Sequence, residues 1–391
     1  MIAAGGTRTA EIADLLSASI RCSSISGDEA GYASYLRAWC EARGWHTETQ
    51  PVPDEPGARA RWNLLARPFA RAGRPLLVIN GHLDVVPVGD ADAWSGEPFD
   101  GRVEHGYVHG RGAVDTKGPI VSALLAADVL TRSSAELAVD LELHLVVGEE
   151  GDGVGTRTAL RSGERPAMAI VLEPSGNELV TASTGVLAFE ITAHGVTAHS
   201  SKPWEGRDAL AHLLAIRGAL SEREEARRAA FAVEGFAAVP DPLPFVVGAV
   251  QAGDYPMAVP ALARMSGRIG LSIDADIDAE RAALVELVAR VDREHGSPVA
   301  SDVRVLHALS GWWTSPASPL VAAFQDLPTL VLTAGSDAGY YGVSGVDTVL
   351  FGPGELELAH GPDERILISE VERASEILAT AIASIGKEPR S

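Results

Sequence analysis

The sequence predicts an α/β fold, a sheet with helices on both faces, into which a smaller α+β segment is inserted. Apolar runs of β character recur along the chain, and helical stretches lie between them, which predicts the sheet and its covering helices. Between residues 184 and 295 the pattern changes to strands that alternate apolar and polar residues. A chain of 391 residues is long enough for two domains that each bury a core.

The elements of the α/β part follow from the length and spacing of its apolar residues. Two N-terminal helices are predicted at residues 10–19 and 28–43, where apolar side chains recur at helical spacing. Later in the chain, short continuous apolar runs are typical of strands that are buried on both faces. The predicted strands cover residues 75–80, 138–147, 167–172, 329–333 and 347–351, and a helix covers residues 120–130.

The inserted part combines two helices with one sheet, which is an α+β arrangement. Its predicted strands are residues 186–192, 245–250 and 265–273, and its predicted helices are residues 207–220 and 278–293. We therefore predict a main domain formed by residues 1–183 and 296–391, and an inserted domain formed by residues 184–295. Alternating edge strands and exposed helices suit a dimer interface.

Composition and charge exclude several classes of function. The 32 basic and 53 acidic residues give a formal charge of -21, which argues against nucleic acid or an anionic membrane as partner. Only Cys22 and Cys40 are present, so neither a disulfide framework nor a thiolate metal cluster is expected. We find neither a signal peptide nor an apolar run of membrane-spanning length, and a cytoplasmic location is expected.

The segment Gly110-Arg-Gly-Ala-Val-Asp-Thr-Lys-Gly118 carries the carboxylate around which the other candidate residues are grouped. Asp115 follows a glycine-rich turn and precedes Gly118-Pro119, which predicts a helix that begins with proline in its first turn. On this segment alone, a helix cap without chemistry is the simpler interpretation of Asp115. The residues that follow the other predicted strands decide whether Asp115 is only a helix cap or part of a functional site.

Acidic and histidine residues follow the predicted strands at the edge where α/β sheets bind their ligands. Individually, each is more typical of a solvated surface side chain. Gathered on one edge, they would repel one another or be desolvated unless cations lay among them, and two divalent ions would remove that cost. Imidazole and carboxylate ligands without thiolate suit zinc, cobalt or manganese. These residues are His82, Asp84, Asp115, Glu149, Glu150, Glu173 and His360.

A site of this composition predicts distinct roles for its carboxylates. A shared aspartate can bridge two ions, which lower the pKa of a water held between them. Of the adjacent Glu149 and Glu150, one can bind metal while the other moves a proton, because neighbouring side chains point in different directions. Asp84, two residues beyond His82, is placed to accept the second imidazole N–H.

Five motifs occur together in the order and spacing of a known family. They are Gly81-His-Leu-Asp-Val-Val-Pro87, Gly110 to Gly118 as above, Gly148-Glu-Glu150, Glu173-Pro174 and Ala359-His360. Together they resemble the dinuclear zinc exopeptidases and deacylases, which include acetylornithine deacetylase, succinyl-diaminopimelate desuccinylase, aminoacylase-1 and carboxypeptidase G. The resemblance implies a mixed-sheet, zinc-exopeptidase-like catalytic domain with an inserted lid and dimerisation domain.

The resemblance also implies two divalent cations, most simply Zn²⁺, with Co²⁺ or Mn²⁺ as alternatives. Glu149 would be the general base and acid, and Asp84 would orient His82. The implied metal ligands are His82, Glu173 and the bridging Asp115 for one ion, and Asp115, Glu150 and His360 for the other.

In the inserted segment, Gly195-Val-Thr-Ala-His-Ser-Ser-Lys-Pro203 resembles the motif whose histidine reaches into the partner subunit's site and stabilises an oxyanion. That assigns the role to His199, with His194 as the alternative, and implies a homodimer. Several family members carry an arginine in the late glycine-rich loop, where this chain has Gly339. Arg268 remains a candidate for binding a substrate carboxylate, and Arg264 is the alternative candidate. The loop candidates for substrate binding are Gly335, Ser336 and Asp337.

The implied reaction is hydrolysis of the amide bond of an N-acyl amino acid, of the deacetylase or deacylase type, by a metal-bridged hydroxide with Glu149 as general base. The missing arginine fits carboxypeptidase-G-like or acyl-amino-acid substrates better than succinyl-diaminopimelate. A dipeptidase or carboxypeptidase-type exopeptidase of the same family is the alternative. A non-catalytic, metal-binding relative is a third, which would normally show a damaged ligand set.

Overall fold

The computed structural model describes residues 3–53, 60–297 and 299–386, and these contain two compact units. The first unit comprises Met1–Thr181, Trp313–Leu330 and Tyr340–Ser391, and the second comprises Ala182–Trp312 and Val331–Gly339. No helix within the described ranges is both long enough and apolar enough to cross a membrane.

The helices and strands alternate along much of the chain. The helices are α1 (Ala3–Arg21), α2 (Ala30–Glu41), α3 (Gly118–Arg132), α4 (Val154–Ser162), α5 (Ala209–Ala230), α6 (Ile277–Glu294), α7 (Pro319–Ala322), α8 (Ala338–Val343) and α9 (Ile368–Ser384). The strands are β1 (His46–Pro51), β2 (Trp62–Arg67), β3 (Leu76–His82), β4 (Val103–Glu104), β5 (Tyr107–His109), β6 (Asp140–Val146), β7 (Met168–Val171), β8 (Leu179–Ser183), β9 (Gly185–His194), β10 (Phe245–Ala252), β11 (Leu262–Leu271), β12 (Asp302–Leu309), β13 (Trp312–Trp313), β14 (Thr329–Leu332), β15 (Asp347–Leu350) and β16 (Arg365–Leu367).

The main sheet is mixed, as predicted. Its strand order is β1-β2-β6-β3-β7-β15-β8-β13, with β14 beside β8. β3 runs parallel to both β6 and β7, and β7 runs parallel to β15, whereas β1 and β2 pair antiparallel. Every residue of β3 and β6 is buried, and β3 accordingly begins with a continuous apolar run, whereas β6 also carries the buried polar residues Asp140, Glu142 and His144. The predicted α/β class is therefore confirmed.

Helices of the first unit supply the rest of its core. Tyr32 and Leu36 of α2 are fully buried in the cluster that also contains Leu77 of β3, as their helical spacing predicted. Leu124 of α3 and Leu378 of α9 are fully buried in the same cluster. Burial of an aliphatic side chain of this size stabilises a fold by about 1.5–3 kcal/mol. This packing fixes the sheet whose strand ends carry the candidate site.

The second unit has a sheet of its own, with strand order β10-β11-β9-β12 and antiparallel pairing throughout. Alternate side chains of β9, among them Phe189 and Ile191, are buried in a cluster with Leu213 of α5 and Leu284 of α6. Each helix begins at an aspartate whose side chain accepts two backbone N–H groups, which caps the helix. This is the α+β combination of two helices and one sheet.

Strand β12 was not predicted, and it lies beyond residue 295, the predicted end of the inserted domain. β12 pairs with β9 from Asp302, opposite Thr192, to Leu309, opposite Val186, and the register shifts between Val305 and His307. This bulge interrupts the alternation of apolar and polar residues along the segment, which leaves too short a pattern to predict a strand. The pairing places β12 in the second unit.

Candidate metal centre

Three parallel strands bring most of the predicted site residues to one edge of the main sheet. In the register of β3, β6 and β7, His82 lies opposite Val146 and Asn80 lies opposite Val171. Each strand is followed by candidate residues, because β3 ends at His82 itself, the Gly148–Glu150 turn follows β6, and Glu173 follows β7. Parallel strands present their carboxyl ends at the same edge, so these side chains lie close together.

Asp115 enters the same site from a tight turn, Ala113–Lys117, which runs directly into α3 with Pro119 in its first turn. Gly112 precedes the turn with a φ of +82°, and a Cβ at this position would lie 2.6 Å from a Val85 methyl carbon. Only glycine fits that conformation and that space. The predicted helix start after Asp115 is therefore confirmed, and the carboxylate is held almost completely buried.

The two oxygens of Asp115 face two different imidazoles. Oδ1 lies 2.9 Å from Nε2 of His82, and Oδ2 lies 3.2 Å from Nε2 of His360. A second carboxylate faces each imidazole, since Glu173 Oε1 is 3.8 Å from His82 Nε2 and Glu150 Oε1 is 3.1 Å from His360 Nε2. The side chains thus form two subsets that share Asp115.

The spacing of these ligand atoms is compatible with metal binding. One atom from each of His82, Asp115 and Glu150 lies within 4.8 Å of the other two, and His82, Glu149 and Glu173 meet the same limit. Ligand atoms that each lie about 2.0–2.2 Å from a shared ion are separated by distances of this order. The strand ends therefore contain a candidate metal-binding site.

The electrostatics of the cluster favour positive charge at both imidazoles. Burial disfavours protonation of His82, yet the hydrogen bond to Asp115 and the charge of Glu173 raise its pKa well above its usual value. Hydrogen bonds to Asp115 and Glu150 raise the pKa of His360 to about 10. Burial raises the pKa of Asp115, but hydrogen bonds with both imidazoles outweigh burial and hold it below its usual range. The carboxylates favour positive charge beside them. Divalent ions would also provide this charge, so the donor set fits metal ions.

Asp84 contacts His82 through a different atom from the one expected. Nδ1 of His82 donates to the backbone carbonyl of Asp84 at 2.9 Å, whereas the nearest carboxylate oxygen of Asp84 is 3.8 Å away. A carbonyl can only accept, so Nδ1 carries the proton and Nε2 is the nitrogen available to a metal. The residue that holds His82 is the predicted one, but its backbone makes the contact.

The carboxylate of Asp84 holds the glutamate turn instead. It accepts the backbone N–H groups of Gly148 at 2.8 Å, Glu149 at 3.1 Å and Glu150 at 3.2 Å, and the hydroxyl of Ser26 at 3.0 Å. A buried carboxylate needs such donors. Asp84 therefore links the strand end that carries His82 to the turn that carries both glutamates.

Two charged residues that were not among the predicted site residues lie behind Asp115. Arg111 and Glu364 are each 1% exposed and form an ion pair in which Nη1 lies 2.8 Å from Oε2. The sequence feature that could have indicated these residues is their position relative to the motifs. Arg111 lies between two motif glycines, and Glu364 follows His360 by four residues. A charge between two glycines says little about burial, so the pair was missed.

The remaining predicted residues belong to the second unit. His199 is exposed, and its Nδ1 accepts the backbone N–H of Ser201 at 3.1 Å. A neutral ring with Nδ1 as acceptor carries its proton on Nε2. His194 is engaged differently, because its Nε2 lies 2.9 Å from a carboxylate oxygen of Asp302 on the neighbouring strand.

The two candidate arginines of the second unit differ in their partners. Nη2 of Arg268 donates to the carbonyl of Thr333 at 2.7 Å, and its buried Nε has no hydrogen-bond partner among the described residues. Arg264 lies 3.6 Å from a carboxylate oxygen of Glu190. In the loop that follows Thr333, Gly335 packs on Val186 and Leu309, while Ser336 and Asp337 are buried.

A family model described as Peptidase family M20/M25/M40 matches residues 78–384. The chain belongs to this family. The match covers the candidate ligands on β3, on the turn before α3, on the strand ends of β6 and β7, and on the loop of His360. It confirms the family that the five motifs predicted.

Individual members of the family resemble the chain to different extents. A succinyl-diaminopimelate desuccinylase of Methylobacterium nodulans is 37% identical over 214 residues, which cover 51% of this chain and 53% of that protein. The chain thus spans about half the length of the desuccinylases that it matches. A probable carboxypeptidase of Aspergillus terreus is 27% identical over 373 residues, 91% of this chain and 82% of that protein.

The fold is also that of a solved family member. The crystal structure of an M20 family metallo-carboxypeptidase from Sulfolobus solfataricus superposes with a TM-score of 0.75 over 95% of this chain and 98% of that one, at 19% sequence identity. The likeness confirms the predicted zinc-exopeptidase-like fold class.

Proposed function

We propose that the protein is a metal-dependent hydrolase that cleaves the amide bond of an N-acyl amino acid. The observation that carries this proposal is the position of Asp115, whose two oxygens face the imidazoles of His82 and His360. Membership of the M20/M25/M40 family and the similarity to desuccinylases support the reaction type.

The ligand assignment follows from which side chains lie together. Glu150 is the glutamate in contact with His360, so it is assigned to the ion on that side of Asp115. Glu149 then remains for proton transfer, although its carboxylate also lies within reach of His82 and Glu173. Zinc suits this set of nitrogen and oxygen ligands, with cobalt or manganese as alternatives. The proposed ligands are His82, Glu173 and Asp115 for one ion, and Asp115, Glu150 and His360 for the other.

Each of the other proposed site residues then has a defined role. Bound cations would supply a polarised water and an electrophile for the substrate carbonyl. Glu149 accepts a proton from that water and returns it to the leaving amine, and Asp84 fixes its turn by accepting its backbone N–H at 3.1 Å. His199 donates from Nε2 to the oxyanion, a role supported by the acceptor contact of its Nδ1 with Ser201.

Substrate recognition is assigned to the second unit. Arg268 is proposed to bind the carboxylate of the amino acid, because its buried Nε has no hydrogen-bond partner among the described residues. Arg264 is a weaker candidate, since it already lies near Glu190. Gly335, Ser336 and Asp337 are proposed to line the substrate loop. The resemblance to a probable carboxypeptidase over most of the chain keeps a dipeptidase or carboxypeptidase reaction as the second candidate.

The experiment that tests this function is a comparison of substrates with metal-loaded enzyme. We expect chelator-sensitive release of an amino acid from N-acetyl, N-succinyl or longer N-acyl amino acids. Hydrolysis restricted to free dipeptides or to C-terminal residues of peptides would favour the second candidate. An absence of turnover with every substrate, despite two bound ions per chain, would contradict the hydrolase assignment.

We further propose that the protein is a homodimer in which His199 serves the partner's site. The motif at residues 195–203 supports this, as do the exposed Val246 and Val250 on edge strand β10. Small-molecule substrates remain the only partners proposed besides the second copy. The location proposed is the cytoplasm, which suits two cysteines that form no disulfide.

Mixing two inactive variants tests the role of His199 in the dimer. Glu149→Gln and His199→Ala are each expected to be inactive as homodimers. Coexpressed, they should regain about one quarter of wild-type activity, because half of the dimers are mixed and each mixed dimer has one intact site. No recovery, with dimers present by analytical ultracentrifugation, would assign His199 to its own subunit. Sedimentation of the active wild type as a monomer would also exclude the role in the partner's site.

A further inference from the structure

The Arg111–Glu364 ion pair has no part in the proposed reaction, yet it lies directly behind two of the proposed ligands. Both side chains are almost completely buried. A buried ion pair loses about as much free energy by desolvation as it gains by attraction, so it contributes little stability by itself. Its significance therefore depends on which other groups the pair holds.

The carboxylate of Glu364 organises the backbone around Asp115. Oε1 accepts the N–H groups of Val114 at 2.8 Å and Asp115 at 3.1 Å, while Oε2 accepts the N–H of Gly112 at 2.9 Å and Nη1 of Arg111 at 2.8 Å. The left-handed conformation of Gly112 turns these N–H groups toward one point. The backbone N–H of Asp115 itself is thus fixed by Glu364.

Arg111 connects the same pair to the loop of His360. Its Nη2 donates to the backbone carbonyl of His360 at 3.1 Å. His360 has a φ of +61°, a conformation that is unfavourable for a residue with a Cβ and that needs support from surrounding contacts. The loop is also anchored by the backbone N–H of Gly110, which donates to the carbonyl of Glu364 at 2.8 Å.

We propose that Arg111 and Glu364 are positioning residues that hold Asp115 and His360 at the separation required for the ion these two ligands share. This inference rests on the ligand assignment proposed above. Glu364 fixes the Asp115 turn and Arg111 fixes the His360 loop, so the pair acts on both ligands at once. His82 is held elsewhere, by the carbonyl of Asp84, so the other ion depends less on the pair.

The test is metal binding to Glu364→Gln, measured by titration of the metal-free protein with Zn²⁺ in competition with a chromophoric chelator. The glutamine places an NH₂ group among N–H donors, so the turn should lose its fixed position. We expect the affinity for the ion shared by Asp115 and His360 to fall by roughly 10- to 100-fold, with a smaller change for the ion beside His82. The visible spectrum of bound Co²⁺ should change for the weakened site.

Asp140→Asn is the matched control. The carboxylate of Asp140 is also buried and also accepts three backbone N–H groups, from Ala72 at 3.0 Å, Gly73 at 3.0 Å and Arg74 at 3.2 Å. Asp140 is the first residue of β6, whereas the turn that carries Glu149 and Glu150 follows the last residue of that strand, so Asp140 is at the end remote from the proposed ligands. This variant should lose thermal stability while both metal affinities stay unchanged.

Arg111→Lys provides a second variant if Glu364→Gln does not fold. Lysine keeps a positive charge beside Glu364 but lacks the forked guanidinium that contacts His360 at the same time. It should weaken the same ion to a smaller extent. Folded variants with unchanged affinities for both ions, beside a wild type that binds two, would overturn the positioning role and leave the proposed function intact. A wild type that binds no ions would overturn both.

Discussion

Glu149→Gln is expected to lower kcat by roughly 10³-fold or more while both metal ions remain bound. The amide keeps the size of the side chain but can neither accept a proton from water nor return one to the leaving amine. The turn itself should stay in place, because Asp84 holds it through backbone N–H groups that the substitution does not alter. Elemental analysis and steady-state kinetics on one preparation measure both quantities.

Glu150→Gln is the natural comparison, since it changes the adjacent residue on the same turn. Glu150 lies 3.1 Å from His360, so its loss should weaken the ion on that side of Asp115. The two variants therefore separate proton transfer from metal binding. Metal loss in Glu149→Gln, together with metal retention in Glu150→Gln, would show that the roles are exchanged.

The sequence was sufficient to predict which side chains lie together at one edge of the sheet because of the way α/β sheets are built. Runs of mainly apolar residues identify the buried parallel strands, and the residues that follow them must meet at one edge. His82, Glu150 and Glu173 could be placed together on that basis, and the structure brings them together. β12 was not predicted, because its bulge interrupts the alternation of apolar and polar residues that indicates a half-exposed strand.

Contacts that depend on backbone direction could not be predicted from residue types. Asp84 was expected to hold His82 with its carboxylate, but the chain curves so that the carbonyl makes the contact. The role of Glu364 depends on three N–H groups that converge only because Gly112 is left-handed. A motif shows that glycine is present, but it does not show which carboxylate fills the resulting concave turn.

The substrate-binding residues remain predictions for a related reason. The residues proposed for substrate binding belong to the second unit, where the sequence departs from the family pattern at Gly339. The proposed metal ligands would be constrained by the geometry of an ion, whereas a substrate pocket can reach similar affinity with different side chains. Substrate specificity therefore has to be measured with the substrate comparison rather than inferred from the motifs.

Asp115→Ala is expected to abolish binding of both ions, a larger effect than removal of any ligand assigned to one ion. Its two oxygens face the two imidazoles separately, at 2.9 Å and 3.2 Å, so Asp115 is the ligand assigned to both ions. Glu173→Ala, by contrast, should lose only the ion beside His82 and keep the one beside His360.

Thermal unfolding with and without added Zn²⁺ gives a readout of Asp115 that does not depend on activity. A ligand present at about 100 times its Kd stabilises a native protein by about 2.7 kcal/mol, so the wild type should gain stability with Zn²⁺. Asp115→Ala should gain almost none, and Glu173→Ala should gain part. The metal-free Asp115→Ala protein should still fold, because Glu364 still accepts the backbone N–H at this position and the carbonyl of Asp84 still holds His82. Retention of one tightly bound ion by Asp115→Ala would mean that the bridging assignment is wrong, because the remaining ligands would then hold an ion without the shared carboxylate.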